Sequence, residues 1–298
     1  VPWATLVPHV FPPAGAGFPP YSVGARLPRS GLGRALWRAM ERPVGAGLRR
    51  GRDELNGARA RLGLQALAEV HGGISRALCL VGTFPQLEYP RVWPAGAHVV
   101  GPLLWEPPTG DVELPPGDDP LVLVAPSTSQ DPAHRLLRAA VAGLGELPVR
   151  VLATQNGRPL RAPITVPANT RLVDWASYSR TMPHCAVVVC HGGHGTIVRA
   201  LANGCSVVAA PVSGDMNENA ARADWAGAGI RLPWRFLSPR TLRLAVERAL
   251  GEPRLHAAAA ELAAWSRRNS GAERAAELVE GFVTWGGASD PGKDNGEP

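Results

Sequence analysis

Two histidines three residues apart, His191 and His194, sit in the run CHGGHGT with glycines at 192, 193 and 195. A metal site is one reading of that spacing, but glycines bring no ligand side chains and no third His or Cys stands at metal-ligand spacing. What the glycines do supply is access: lacking Cβ, they let a ligand approach backbone N–H groups. If a helix begins here, its dipole favours an anion, most simply a phosphate. Other residues could join such chemistry. Ser127, Thr128 and Ser129 offer hydroxyls that bind phosphate or merely cap a helix. Trp175 offers a flat aromatic face, and Asp215, Glu218 and Asn219 offer polar groups in the run GDMNEN. His9 ends an apolar run and is a weak candidate for a general base.

The surrounding pattern places these residues. Ala186–Cys190 is apolar and largely β-branched, as a buried parallel strand requires. The glycine turn follows, then apolar residues at helical spacing over Thr196–Asn203, a stop at Gly204, and a second strand over Ser206–Ala210. From Leu121 the chain alternates strands and helices: LVLVAP, a helix to Leu144, Val149–Ala153, Thr170–Asp174, the helical SYSRTMP. That alternation predicts a doubly wound parallel α/β sheet, whose ligands sit at the C-terminal ends of strands. Both STSQD and HGGHG fall at such ends. A helix over Glu218–Ala226 follows the acidic loop, Ser238-Pro239 is a cap pair opening a helix to Leu250, and two more helices span Arg254–Arg267 and Ala272–Trp285. Before the sheet, a strand is expected over Val1–Val10, helices over Gly31–Arg50 (interrupted at Pro43) and Asp53–Leu62, and strands over Ala77–Gly82 and Ala97–Leu104.

The succession HGGHGT, ALANGCSVVAAP and GDMNENA resembles the donor-binding half of family 1 glycosyltransferases of the two-domain GT-B type, in particular bacterial enzymes that glycosylate natural products such as macrolides. The resemblance covers most of Pro120–Gly281. It implies two Rossmann-like domains with parallel sheets, the first incomplete here. Residues 1–104 would be the rear of the acceptor-binding domain, 105–120 a Pro/Gly-rich linker, 121–271 the donor-binding domain, 272–285 a helix returning to the first domain, and 286–298 a disordered tail. The resemblance implies a chain truncated at its N-terminal side, with the catalytic base upstream of Val1. It also implies site roles. His191, Gly193, Gly195 and Thr196, with Ser127 and Thr128, hold the diphosphate of a UDP- or dTDP-sugar. Trp175 stacks on the nucleobase, and Asp215, Met216 and Asn219 face the sugar. The sequence departs from relatives at Met216, where many carry Gln, and after Trp175, where WASY replaces their Pro and Gln. The implied reaction is inverting, metal-independent sugar transfer to a hydroxyl of a lipophilic small molecule, with no cofactor beyond the nucleotide sugar. A nucleotide-sugar epimerase and a non-catalytic nucleotide-sugar-binding module are the alternatives.

Composition narrows the partners. The 298 residues suffice for two domains. The net charge of +6 comes from 30 Arg and one Lys that are scattered rather than clustered, so no nucleic-acid partner is expected. Four cysteines without CxxC spacing read as reduced core thiols. With no apolar run long enough to span a bilayer and no visible signal peptide, a cytoplasmic protein is expected.

Overall fold

The structure, a computed structural model, describes residues 3–284. The tail expected over 286–298, Trp285 and the first two residues of the N-terminal strand lie outside the described residues. The chain divides into two compact units. Among the described residues the first comprises 3–20, 27–101 and 270–284, and the second comprises 21–26 and 102–269.

The first unit is built on a three-stranded parallel sheet, β1 (Thr5–Val7), β2 (Cys79–Val81) and β3 (Ala97–Val99), in that order. All three strands are shorter than the apolar runs that predict them. Side chains alternate between faces. Val7, Cys79 and Val81 pack with Phe11 on one side, while Leu78, Leu80 and Val100 meet Ala275, Leu278 and Phe282 on the other. Those last three belong to α8 (Gly271–Thr284), which is therefore part of the first unit. Between β1 and β2 runs α1 (Gly31–Arg61), one helix of 31 residues where the sequence suggests two. Pro43 lies inside it. A proline removes a single N–H bond, and the Ala, Leu, Arg and Glu around it carry the helix past the gap.

The second unit is a six-stranded parallel sheet in the order β6-β5-β4-β7-β8-β9. Its strands are β4 (Leu121–Ala125), β5 (Arg150–Thr154), β6 (Thr170–Val173), β7 (Cys185–Cys190), β8 (Ser206–Ala209) and β9 (Gly229–Arg231). Its central strands are buried on both faces, which is why their sequences run continuously apolar instead of alternating. One face, with Val122, Val124, Val187 and Val189, packs on α2 (Arg135–Leu144) and α6 (Pro239–Gly251). On the other side α4 (His194–Ala202) contacts β7 and β8, and α7 (Pro253–Arg268) packs on α4. The helix α6 opens with a capping box between Ser238 and Thr241.

From β4 the chain steps outward to β5 and β6, then returns to the other side of β4 and steps outward again through β7, β8 and β9. The winding reverses between β4 and β7, the point outside the strand ends at which open parallel sheets of this kind place their ligands.

The segment read as a linker is pinned to this unit. Glu106 accepts hydrogen bonds from the Tyr178 and Ser179 amides at 2.8 Å each, capping the short α3 (Tyr178–Thr181). Burial alone would raise the Glu106 pKa, but the Ser179 side chain, those two amides and the charge of Arg199 more than offset it and hold the carboxyl below its usual range. Further along, Arg150 donates to Pro115 O, and Arg171 and Arg180 pair with Glu113 and Asp111. Proline-rich chain offers many carbonyls and few donors, so arginines of the unit can tie it down.

Candidate functional site

The loop after β4 and the loop after β7 meet at the reversal point. The Ser127 amide donates to Nδ1 of His191 at 2.8 Å. Because Nδ1 accepts, the ring proton stands on Nε2, which faces Asp131 Oδ2 at 3.3 Å. Asp131 is itself fixed: Oδ1 accepts from the Arg135 amide and Oδ2 from the Leu136 amide, both at 2.9 Å, capping α2. Trp234 closes another side of the imidazole, with ring centroids 5.4 Å apart. His191 is 2 % exposed. Burial pushes its pKa down to about 4; Asp131 opposes the shift and the charge of Arg158 adds to it. The side chain is a neutral strut joining the two loops, and its ring faces inward.

The outward face of the glycine loop is backbone. α4 begins at His194, two residues before the sequence-based start, so His194, Gly195 and Thr196 form its first turn, capped by Gly193. The Ile197 amide, bonded to Gly193 O at 3.1 Å, begins the helical ladder. Amides before it have no acceptor within the helix. A Cβ at Gly193 or Gly195 would meet nothing within 4 Å, so this turn is open to a ligand. Thr128 is exposed beside it, whereas the Ser127 hydroxyl accepts from the Ser129 and Gln130 amides and shapes the loop.

Trp175, past the end of β6, is 41 % exposed. It lies at the β5/β6 side of the row of strand ends. Behind that edge, buried Asn156 at φ 52° donates to Pro126 O, accepts from Thr154 Oγ1 and exchanges hydrogen bonds with Tyr178 Oη. Burial pushes the Tyr178 hydroxyl up to about 12, so it stays a neutral hydrogen-bonding group.

On the β8 side the acidic run is helical. α5 spans Asp215–Trp225, placing Asp215 and Met216 in its first turn rather than in a loop. Gly214, at φ 59°, caps it, and Asp215 and Glu218 complement the helix dipole. Asp215 is exposed, and Asn219 is buried. Asn219 Nδ2 donates to Gly192 O at 3.1 Å and to Asp215 Oδ2 at 3.2 Å, bracing the acidic turn against the glycine loop.

His9 stands beyond β1 in the first unit, half-buried, with Nδ1 2.8 Å from Val10 O. Among the described residues no group of three or more His, Cys, Asp or Glu side chains could hold a metal ion, and no helix is long and apolar enough to cross a membrane. Asp131, Asn156, Arg158 and Trp234 escape sequence reading. Only Asp131 carries a local signal, an Asx residue just ahead of an apolar helix.

This fold and this reversal-point site define a class. Residues 138–280 match the family described as erythromycin biosynthesis protein CIII-like, C-terminal domain. The chain is 36% identical over 285 residues to 4'-demethylrebeccamycin synthase of Lentzea aerocolonigenes, covering 91% of this chain and 65% of that protein. Among solved structures, the glycotransferase of kitacinnamycin superposes with a TM-score of 0.67 at 23% identity, over 82% of this chain and 66% of its own. Glycosyltransferase VinC in complex with dTDP superposes with a TM-score of 0.55 at 24% identity, over 68% of this chain and 51% of its own. The architecture is that of GT-B glycosyltransferases. Within that class the chain is similar in sequence to family 1 glycosyltransferases of the macrolide and natural-product type. The chain spans less than two thirds of the length of each of these relatives, 65% of the first and 66% and 51% of the two solved structures.

Proposed function

We propose that the protein transfers a sugar from UDP or dTDP to a hydroxyl of a lipophilic small molecule, with inversion. The observation that carries this is the open first turn of α4 at the winding reversal, flanked by Thr128, an exposed Trp175 and an exposed Asp215. The order of these groups along the strand ends matches a nucleotide sugar laid across them: base at Trp175, diphosphate at Gly193, Gly195, Thr196 and Thr128, sugar at Asp215. As the acceptor oxygen attacks the anomeric carbon, a general base takes its proton and the C–O bond to the diphosphate breaks. The α4 amides and dipole stabilise the negative charge gathering on the departing diphosphate. The reading needs no metal for that step. His191 acts through the loops it joins, since its ring is neutral and enclosed. Buried, unpaired cysteines fit a reducing cytoplasmic setting.

The test is calorimetric titration with UDP and dTDP, followed by transfer from labelled UDP- and dTDP-sugars to a panel of hydroxylated aglycones. In Gly195→Val the added methyls enter open space on the ligand side, so nucleotide affinity should fall about tenfold or more while the fold stands. Equal binding by parent and variant would remove the diphosphate from this turn.

A further inference from the structure

The first turn of α5 is gripped from two sides by glycines at positive φ. Gly192, at φ +87°, lies so near that a Cβ on it would stand 2.8 Å from the Met216 carbonyl oxygen. Gly24, at φ +63°, would place a Cβ 2.6 Å from the carbonyl oxygen of the next residue, Asn217. Neither position accepts a side chain without moving the α5 backbone. Gly192 belongs to the glycine loop, so that contact is local to the donor site. Gly24 is different: the segment 21–26 clusters with the second unit although the chain on both sides of it belongs to the first.

Two arginine contacts hold this segment. Arg231, in β9, donates Nη1 to the Gly24 carbonyl, and its buried Nε has no hydrogen-bond partner. Arg26 Nε lies 3.0 Å from Asp224 Oδ2 in α5. The Arg26 side chain is 78 % exposed, so its pair contributes little. The Arg231 contact is the firmer anchor, because a guanidinium with an unpaired buried nitrogen loses much if its remaining carbonyl acceptor moves.

We infer that Tyr21–Arg26 is a positioning strap for the sugar end of the donor site, with Gly24 setting the place of the Met216–Asn217 peptide and thereby of Asp215. This rests on the proposed role of Asp215 as a sugar-hydroxyl acceptor. The contacts of Gly24 and Arg26 are to Asn217, Asp224 and Arg231, in α5 and β9 rather than in α4. Disturbing it separates recognition of the sugar from recognition of the diphosphate. A role confined to general stability would lower both together.

The experiment uses Gly24→Ala, Gly24→Val and Arg231→Gln in the 298-residue chain, titrated with UDP against UDP-glucose and dTDP against dTDP-glucose. Any side chain at Gly24 meets both the +63° φ and the Asn217 carbonyl, so affinity for the nucleotide sugar should fall about tenfold or more. Affinity for the nucleoside diphosphate should stay within about twofold. Arg231→Gln adds no volume and should shift the same ratio in the same direction by less. Amide exchange over 214–219, measured without ligand, should quicken in all three variants. Unchanged exchange at 214–219, or equal changes in both affinities, would overturn the strap. If the parent chain binds neither nucleotide form, the donor reading fails, and exchange alone decides whether the strap holds the turn.

Discussion

Asn219 Nδ2 lies 3.1 Å from the carbonyl oxygen of Gly192 and 3.2 Å from Oδ2 of Asp215, so one buried amide ties the glycine loop to the acidic turn. Replacing it with Ala leaves the Gly192 carbonyl buried without this donor. Asn219→Ala should destabilise the second unit by about 1–3 kcal/mol. Urea unfolding followed by tryptophan fluorescence measures this, and nucleotide-sugar affinity should drop in parallel. A variant as stable as the parent would show that the brace carries no weight.

His191 makes stability depend on pH. Its folded pKa, lowered by burial to about 4, lies below the usual value of 6.5, so between these values the unfolded chain binds more protons. Its contribution is therefore complete above pH 6.5 and is lost as the pH falls toward 4, on the order of 3 kcal/mol in total. Unfolding midpoints measured from pH 4 to 7 should rise with pH, and His191→Asn should flatten part of that slope. An unaltered slope in the variant would contradict the buried, neutral imidazole.

Trp175 separates binding from stability. Being 41 % exposed, its loss should change folding by little, whereas removing a stacking surface should cost about 1–3 kcal/mol of nucleotide affinity. Titration of Trp175→Ala with UDP and dTDP checks this. Wild-type affinity in the variant would move the base elsewhere.

The helix α8 closes one face of the small sheet through Ala275, Leu278 and Phe282. Ending the chain after Arg268 uncovers Leu78, Leu80 and Val100, and a buried Leu or Val contributes roughly 1.5–3 kcal/mol. Amide exchange over residues 78–100 should accelerate strongly in the truncated chain. Unchanged protection there would mean the sheet stands without α8.

Much of the second unit is legible in the sequence because parallel strands buried on both faces leave an unbroken apolar signature, as in Leu121–Ala125 and Cys185–Cys190. The glycines at 193 and 195 are legible for a related reason: close approach to backbone needs a missing Cβ, and that absence is written in the residue type. Helix starts were less readable. Glycines at 195 and 214 suggest breaks, yet α4 includes the first and α5 begins directly after the second. Dipole and capping decide such ends, and both depend on geometry.

What tertiary structure decided was partnership. Sequence marks His191 as a residue of the glycine loop but not that its ring turns inward between Ser127 and Asp131, because those partners lie 64 and 60 positions away and only the β4–β7 pairing brings them together. The acidic turn looks free in sequence and is held by Asn219, Gly192 and Gly24 in space. Composition makes 105–120 a linker, yet the Glu106 carboxylate and the Pro115 carbonyl dock on the second unit. Residue type and spacing determined which backbone can face a ligand, since a Cβ is either present or absent locally. Folding alone determined which side chains hold that backbone in place, since a hydrogen bond needs two groups within reach and nothing in a local sequence says which distant residue supplies the second.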